Sequence, residues 1–154
     1  MMQPYQPEGI SAKGKEVRVL QYFIKTFSAF ICALASFLWG RCDGLLLALL
    51  SFICLDYISG VIVGATKHKL SSAVGFKGIA KKAFILIIVA VAHIIDSQVL
   101  GGQSSAFRSA ICGIYIANEG LSILENAVKL GVPVPKQLKK FLEQLRDKGE
   151  EENA

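Results

Sequence analysis

The run from Leu45 to Thr66 constrains this chain more than any other feature of its sequence. It contains a single ionisable residue, Asp56, and at helical rise it covers about 33 Å, the hydrocarbon thickness of a bilayer crossed with a slight tilt. A run of that length is too long for a strand and too uniformly apolar for the one-sided face of a soluble helix. The rest of the chain agrees. Hydrophobic residues make up 53% of the 154 and charged residues 19%, with a mean hydropathy of +0.48, less charge than soluble domains carry. The apolar residues fall in blocks rather than at helical or strand period, which points to a bilayer.

Three further blocks flank this one. The strictly apolar part of the first, Phe27 to Trp39, is short for a span. It becomes long enough if the helix starts near Leu20, with Lys25 reaching to the interface and Trp39 at the opposite boundary. Ser28, Cys32, Ser36 and Gly40 recur every four residues as a ridge of small side chains. Basic residues precede the block as in a signal peptide, but no small-x-small site follows it, so a retained helix is expected. The third block is apolar from Ala83 to Ile95, meets Asp96 and extends toward Leu100. The fourth, Ala106–Val128, carries Asn118, Glu119, Glu125 and Asn126, two turns apart and read as one polar side. It either spans with that side toward other helices or lies in the interface as an amphipathic element. Gly131-Val132-Pro133-Val134-Pro135 then stops the helix, and Leu138, Phe141, Leu142 and Leu145 mark a short amphipathic helix before the acidic tip.

The expected architecture is an all-α integral membrane protein with four transmembrane helices, three being the alternative count, plus a short C-terminal amphipathic helix. A flexible arm over 1–18 precedes a membrane domain over 19–128, with helices near 20–40, 45–66, 80–100 and 106–128, and a basic cytoplasmic tail over 129–154. Charge placement sets the orientation. The net charge is +5, and the lysines flank apolar blocks instead of lining an aromatic-studded face, so no nucleic-acid partner is expected. Lys and Arg concentrate in the arm, in the central loop (Lys67, Lys69, Lys77, Lys81, Lys82) and in the tail, while the other two connections hold only Arg41 and Arg108. Four spans with both termini in the cytoplasm alternate these segments correctly, which makes the five loop lysines topology determinants.

Motifs for catalysis are missing: the chain has no GxGxxG, Walker loop, HExxH or GxSxG. His93 and Ser59 lack placed partners for hydrolysis. Cys32, Cys42, Cys54 and Cys112 have no CxxC spacing and do not combine with His68 or His93 as zinc ligands, so neither metal nor cofactor is expected. The informative residues are the intramembrane acids. A charged Asp near a helix centre costs about 2.5–3.5 kcal/mol on insertion scales and therefore faces other helices or water. Asp56 shares a face with Gly60 and Gly64 of a GxxxG sequence. Such a face serves either helix fastening or assembly of copies around a polar surface. Asp56, Gly60, Gly64, Asp96, Asn118, Glu119 and Glu125 are thus the oligomerisation and pore candidates.

Several segments taken in order resemble the toxin-secretion/phage-lysis holin family. They are Leu55-Asp56-Tyr57-Ile58-Ser59-Gly60; Lys69-Leu70-Ser71-Ser72-Ala73-Val74-Gly75-Phe76-Lys77-Gly78-Ile79-Ala80-Lys81-Lys82; Asn118-Glu119-Gly120-Leu121-Ser122-Ile123-Leu124-Glu125-Asn126-Ala127; and Lys129-Leu130-Gly131-Val132-Pro133-Val134-Pro135. The short turn from Gly40 to Gly44 also resembles the family's connection between its first two helices. The likeness spans about residues 26–148 and leaves out the N-terminal arm. It implies a phage or prophage protein that accumulates in the host's cytoplasmic membrane, oligomerises, and opens lesions. An endolysin, or in some relatives a toxin, then crosses without needing direct contact. Two other readings are a small ion channel or transporter subunit with Asp56 and Glu119 as ion or proton sites, and a membrane anchor whose tail binds a soluble partner. No inverted repeat between the halves supports the transporter reading.

Overall fold

The computed structural model describes residues 12–68 and 71–151; within them every regular element is helical. Helix α1 runs Ala12–Trp39, α2 Gly44–Thr66, α3 Ser72–Ile94 with a π-helical continuation Ile95–Val99, α4 Ala106–Lys129 and α5 Lys136–Glu151. Among the described residues three stretches are long and apolar enough to cross a membrane: Lys15–Trp39, Gly44–Thr66 and Gly75–Val99. By its contacts the chain divides into two units at Phe37/Leu38.

The first unit is α1 up to Phe37. The helix begins well before the expected start near Leu20; Ala12, Lys13, Lys15, Glu16 and Arg18 favour it and no proline interrupts the segment. The part of the expected arm that is described, residues 12–18, is therefore helical; residues 1–11 lie outside the described residues. Its large apolar side chains, including Val17, Leu20, Tyr22, Phe23, Phe27 and Phe30, are exposed.

In the second unit α2, α3 and α4 pack around one small core. Leu49 and Ile53 of α2, Val89 of α3 and Cys112 of α4 are buried together, ringed by Trp39, Leu86, Ile116 and neighbours. The Trp39 indole N–H donates to the Leu86 carbonyl at 2.8 Å. Most other apolar side chains of α2 and α3, Leu47, Leu55, Ile58, Ile62, Phe84 and Val91 among them, face outward. That much contiguous apolar surface does not persist in water, and it suits hydrocarbon.

Local signals set the helix ends. Asp43 caps α2, accepting from Leu46 N–H at 2.9 Å, and Gly40 makes the turn before it at φ +75. At Gly40 a Cβ would stand 2.7 Å from His93 Cε1, so the ring of α3 closes over the glycine. Helix α2 ends where Lys67 N–H donates to the Val63 carbonyl and His68 enters the left-handed region. Helix α3 begins at Ser72, earlier than the expected 80, so Lys77, Lys81 and Lys82 are helical rather than in a loop. Gly75, which reads as loop punctuation, lies inside the helix, where a Cβ would make ordinary contact with Tyr57 Oη of α2 at 3.9 Å. Helix α4 ends in a Schellman motif, Val132 N–H to Ala127 and Gly131 N–H to Val128, with Gly131 at φ +81. Pro133 and Pro135 follow, and α5 folds back along α4 until Leu142 packs at Gly120.

Candidate functional site

Two polar groupings organise the second unit, one at mid-bundle and one at the end that holds Asp43. At mid-bundle the Lys82 ammonium donates to Asp56 Oδ2 at 2.8 Å and to Glu119 Oε2, so one cation on α3 joins carboxylates on α2 and α4. The Asn126 amide of α4 donates to Asp56 Oδ1 at 3.3 Å and to the Ser59 hydroxyl at 2.9 Å; that hydroxyl in turn donates to the Asp56 carbonyl. All three charged side chains are largely buried, at 14%, 15% and 10% exposure for Lys82, Asp56 and Glu119.

The three charges meet because they sit at one level. Asp56 is ten residues from Thr66, Lys82 ten from Ser72 and Glu119 ten from Lys129, all counted from the same end of the bundle. At helical rise that is about 15 Å, half the thickness of a hydrocarbon core. Here a charge without a partner is most costly, and formally two negative charges share one positive charge. The grouping therefore fastens three helices and leaves one acid in excess. It holds no nucleophile paired with a base.

At the other end Asp96, buried in the π turn, accepts from the N–H groups of Phe107 and Arg108 at 3.2 and 2.7 Å, capping α4 from another helix. Arg108 is buried and grips Asp43 with both terminal nitrogens, at 2.7 and 3.2 Å, while also donating to the Arg41 carbonyl. Asp43 thus serves two partners. The hydrogen bond from Arg108, then that from Leu46 N–H, hold its carboxyl down at about 2 against an ordinary 3.8.

The expected site residues sort accordingly. Asp56 and Glu119 come together, with Lys82 between them; it is an internal counter-ion as well as one of the five lysines credited with topology. Gly60 faces Asn126 of α4, where a Cβ would lie 3.8 Å from Nδ2, and Gly64 lines a cleft of about 710 Å³ with Asp56, Gly60 and Gly75. Asp96 is a helix cap remote from these. The expected single polar side of α4 is two sides, since neighbouring residues on a helix point about 100° apart. Glu119 and Asn126 turn to α2 and α3; Asn118 and Glu125 line a groove of about 920 Å³ against α5, and Glu125 lies 4.0 Å from Lys129. Lys67 follows the end of α2 and is exposed, as are Lys77 and Lys81, whereas Lys69 lies outside the described residues. Sequence reasoning missed Asp43 and Arg108 as a pair. An N-cap signal at Asp43 is readable before Gly44-Leu45, but its cation is 65 residues away.

Apolar outward faces and an ionic cluster that fastens three helices are the marks of a small multi-helix membrane protein. A model of the bacteriophage holin family matches residues 33–147, and the chain belongs to that family. It is 43% identical over 126 residues to an uncharacterized 14.9 kDa protein in the nagH 3' region of Clostridium perfringens, covering 82% of this chain and 95% of that one. An uncharacterized Listeria monocytogenes protein, Lmo0128, is 46% identical over 110 residues, 71% of this chain and 77% of its own. The uncharacterized protein YtkC of Bacillus subtilis is 35% identical over 125 residues, 81% and 92% of the two chains. No solved structure matches the chain.

Proposed function

We propose that this protein oligomerises in the cytoplasmic membrane of a bacterial host and opens lesions through which an endolysin, or a toxin, reaches the cell wall. The observation that carries this reading is the family match, which runs from within α1 to within α5 and includes two of the three membrane-length helices entire. The protein acts by assembly, not as an enzyme; the endolysin is a functional partner that need not touch it.

In this reading α4 is the fourth span. At helical rise it measures about 36 Å. Its polarity, which keeps it from counting as apolar, is met from within: Arg108 by Asp43 and Glu119 by Lys82. With four spans, the basic segments fall on one side and both termini are cytoplasmic. Asp56, Gly60 and Gly64, with Asn118, Glu119 and Glu125, are then the residues for assembly and lesion lining, and Asp96 positions α4.

Induction in bacteria tests the proposal. Growth stops abruptly and membrane potential collapses; continued growth with an intact potential, after confirmed insertion, refutes it. Asp56→Leu and Gly60→Leu both shift oligomerisation and the onset of lysis. If both crosslink and lyse like the parent, that face of α2 is not used.

A further inference from the structure

A cleft of about 720 Å³ opens beside the mid-bundle ionic cluster, between α3 and α4, and its two ends differ in chemistry. Lys82, Asp56 and Glu119 line it at one level, and Lys77 and Lys81 line it toward the start of α3. In the other direction Phe84, Ile88 and Tyr115 continue it as an apolar channel, with Phe84 and Ile88 exposed. Lys82 is held by the two acids, but among the described residues no carboxylate pairs with Lys77 or Lys81. Three lysines thus face two carboxylates, an excess of one positive charge.

The span Gly75–Val99 has 25 residues and is about 37 Å long at helical rise, so it overhangs a hydrocarbon core of about 30 Å by about 3–4 Å at each end. Lys77, two residues into the span, stands at that boundary, and Lys81 lies about 5–6 Å below it. Side chains on a helix lean toward its N-terminus, so the Lys81 stem runs back toward Lys77, one turn away on the same face. Two ammonium groups converging there repel each other unless an anion lies between them. Topology alone accounts for basic residues anywhere at this end of the bundle. It does not account for a lysine below the boundary beside an open apolar channel. What fits both ends is a molecule with one negative charge at the lysines and a chain along Phe84 and Ile88. Water or a free anion fills the first part only, and a zwitterionic headgroup brings its own cation. We propose that this cleft binds an anionic phospholipid, its phosphodiester between Lys77 and Lys81 and one acyl chain along Phe84, Ile88 and Tyr115. The cleft on the other flank of α3 is of similar size, but Lys82, already held by two acids, is the one lysine among its described lining residues, and it takes no such headgroup. The inference needs α3 to cross a bilayer and nothing of lysis.

The test uses the full chain in phosphatidylcholine vesicles, with Trp39→Phe so that Phe84→Trp supplies its sole indole. Rising fractions of phosphatidylglycerol or phosphatidylcholine with brominated acyl chains quench that indole on contact. Half-quenching comes at a phosphatidylglycerol fraction about tenfold lower than that of phosphatidylcholine. Leu55→Trp in place of Phe84→Trp puts the indole at a similar level on the outward side of α2, outside the cleft, and there the two lipids agree within about twofold. Lys77→Gln with Lys81→Gln, both at exposed positions, lowers the preference at position 84 to about twofold. Lys67→Gln with Lys140→Gln, an equal loss of charge at exposed positions outside the cleft, leaves it above about fivefold. Equal quenching by the two lipids at position 84, the same preference at position 55, or equal losses in the two double variants overturns the site. A preference abolished by inorganic phosphate but not by chloride of equal ionic strength assigns the lysines to a free anion and overturns the lipid.

Discussion

Replacing Lys82 by methionine removes the one ammonium that faces both Asp56 and Glu119 and keeps most of its packing volume. The two carboxylates remain at 15% and 10% exposure, against each other and against the Asn126 amide, which stays 3.3 Å from Asp56. Removing one partner of a buried ion pair costs about 3–5 kcal/mol, because the other charge is left desolvated. Glu119→Gln instead removes the excess negative charge. It leaves one ammonium with one carboxylate, a neutral pair that keeps its 2.8 Å contact, and costs about 1 kcal/mol, the net value of an ordinary hydrogen bond. The triple replacement Asp56→Leu, Lys82→Met, Glu119→Leu removes charge and desolvation cost together and is close to neutral or stabilising by about 1–4 kcal/mol.

The measurement is reversible unfolding in mixed micelles, followed by helical circular dichroism as the denaturing detergent fraction rises. The expected order of stability is triple variant, Glu119→Gln, then Lys82→Met well below both. A Lys82→Met loss under about 1 kcal/mol, or Glu119→Gln costing more than Lys82→Met, refutes the charge accounting rather than its magnitude alone.

Three further outcomes follow from the other groupings. Gly40→Ala destabilises by about 2–3 kcal/mol, since alanine is strained at φ +75 and its Cβ would lie 2.7 Å from His93; His93→Ala in the same chain recovers part of the loss, and no recovery in thermal unfolding contradicts the contact. Asp43 has a folded-state value below its unfolded one, so its stabilisation is complete above pH 3.8 and lost as pH falls through about 2. Thermal midpoints in detergent of the parent and Asp43→Asn should therefore converge across that window; parallel curves contradict the Arg108 link. Asp96→Ala uncaps α4 at a cost of about 1–2 kcal/mol and speeds hydrogen exchange at the Phe107 and Arg108 amides, while exchange in α2 is unchanged.

What was readable in the sequence followed physical rules that act locally. The uninterrupted run of α2 gives its helix directly, and Asp43 before it gives the cap. The start of α3 was harder, because Ser71, Ser72, Gly75 and Gly78 carry local signals for a loop that the helix overrides. Asp56 and Glu119 are conspicuous as acids in apolar surroundings, yet nothing adjacent identifies Lys82 as their partner. A level count does: once α2 and α3 are joined by a tight connection, residues equally far from it face the same depth, and Lys82 is the match for Asp56. The split of the α4 polar side was within reach as well, because Asn118 and Glu119 cannot share a direction on a helix. The Arg108–Asp43 grip was not, since it depends on how α2 and α4 are placed side by side.

The arrangement also explains why hydropathy passes over α4 although it is the helix that touches α2, α3 and α5. Alone, it carries Arg108, Glu119, Glu125 and Lys129, and on insertion scales a central charge costs about 2.5–3.5 kcal/mol. Against α2 and α3 the balance changes, because Asp43 and Lys82 stand at the levels of Arg108 and Glu119. Helices α2 and α3 can bring those partners in at tolerable cost, being otherwise apolar enough to cross by themselves. As the fourth span proposed above, α4 would be stable only after its neighbours are in place, its cost lowered by a fixed set of side chains rather than by its own composition.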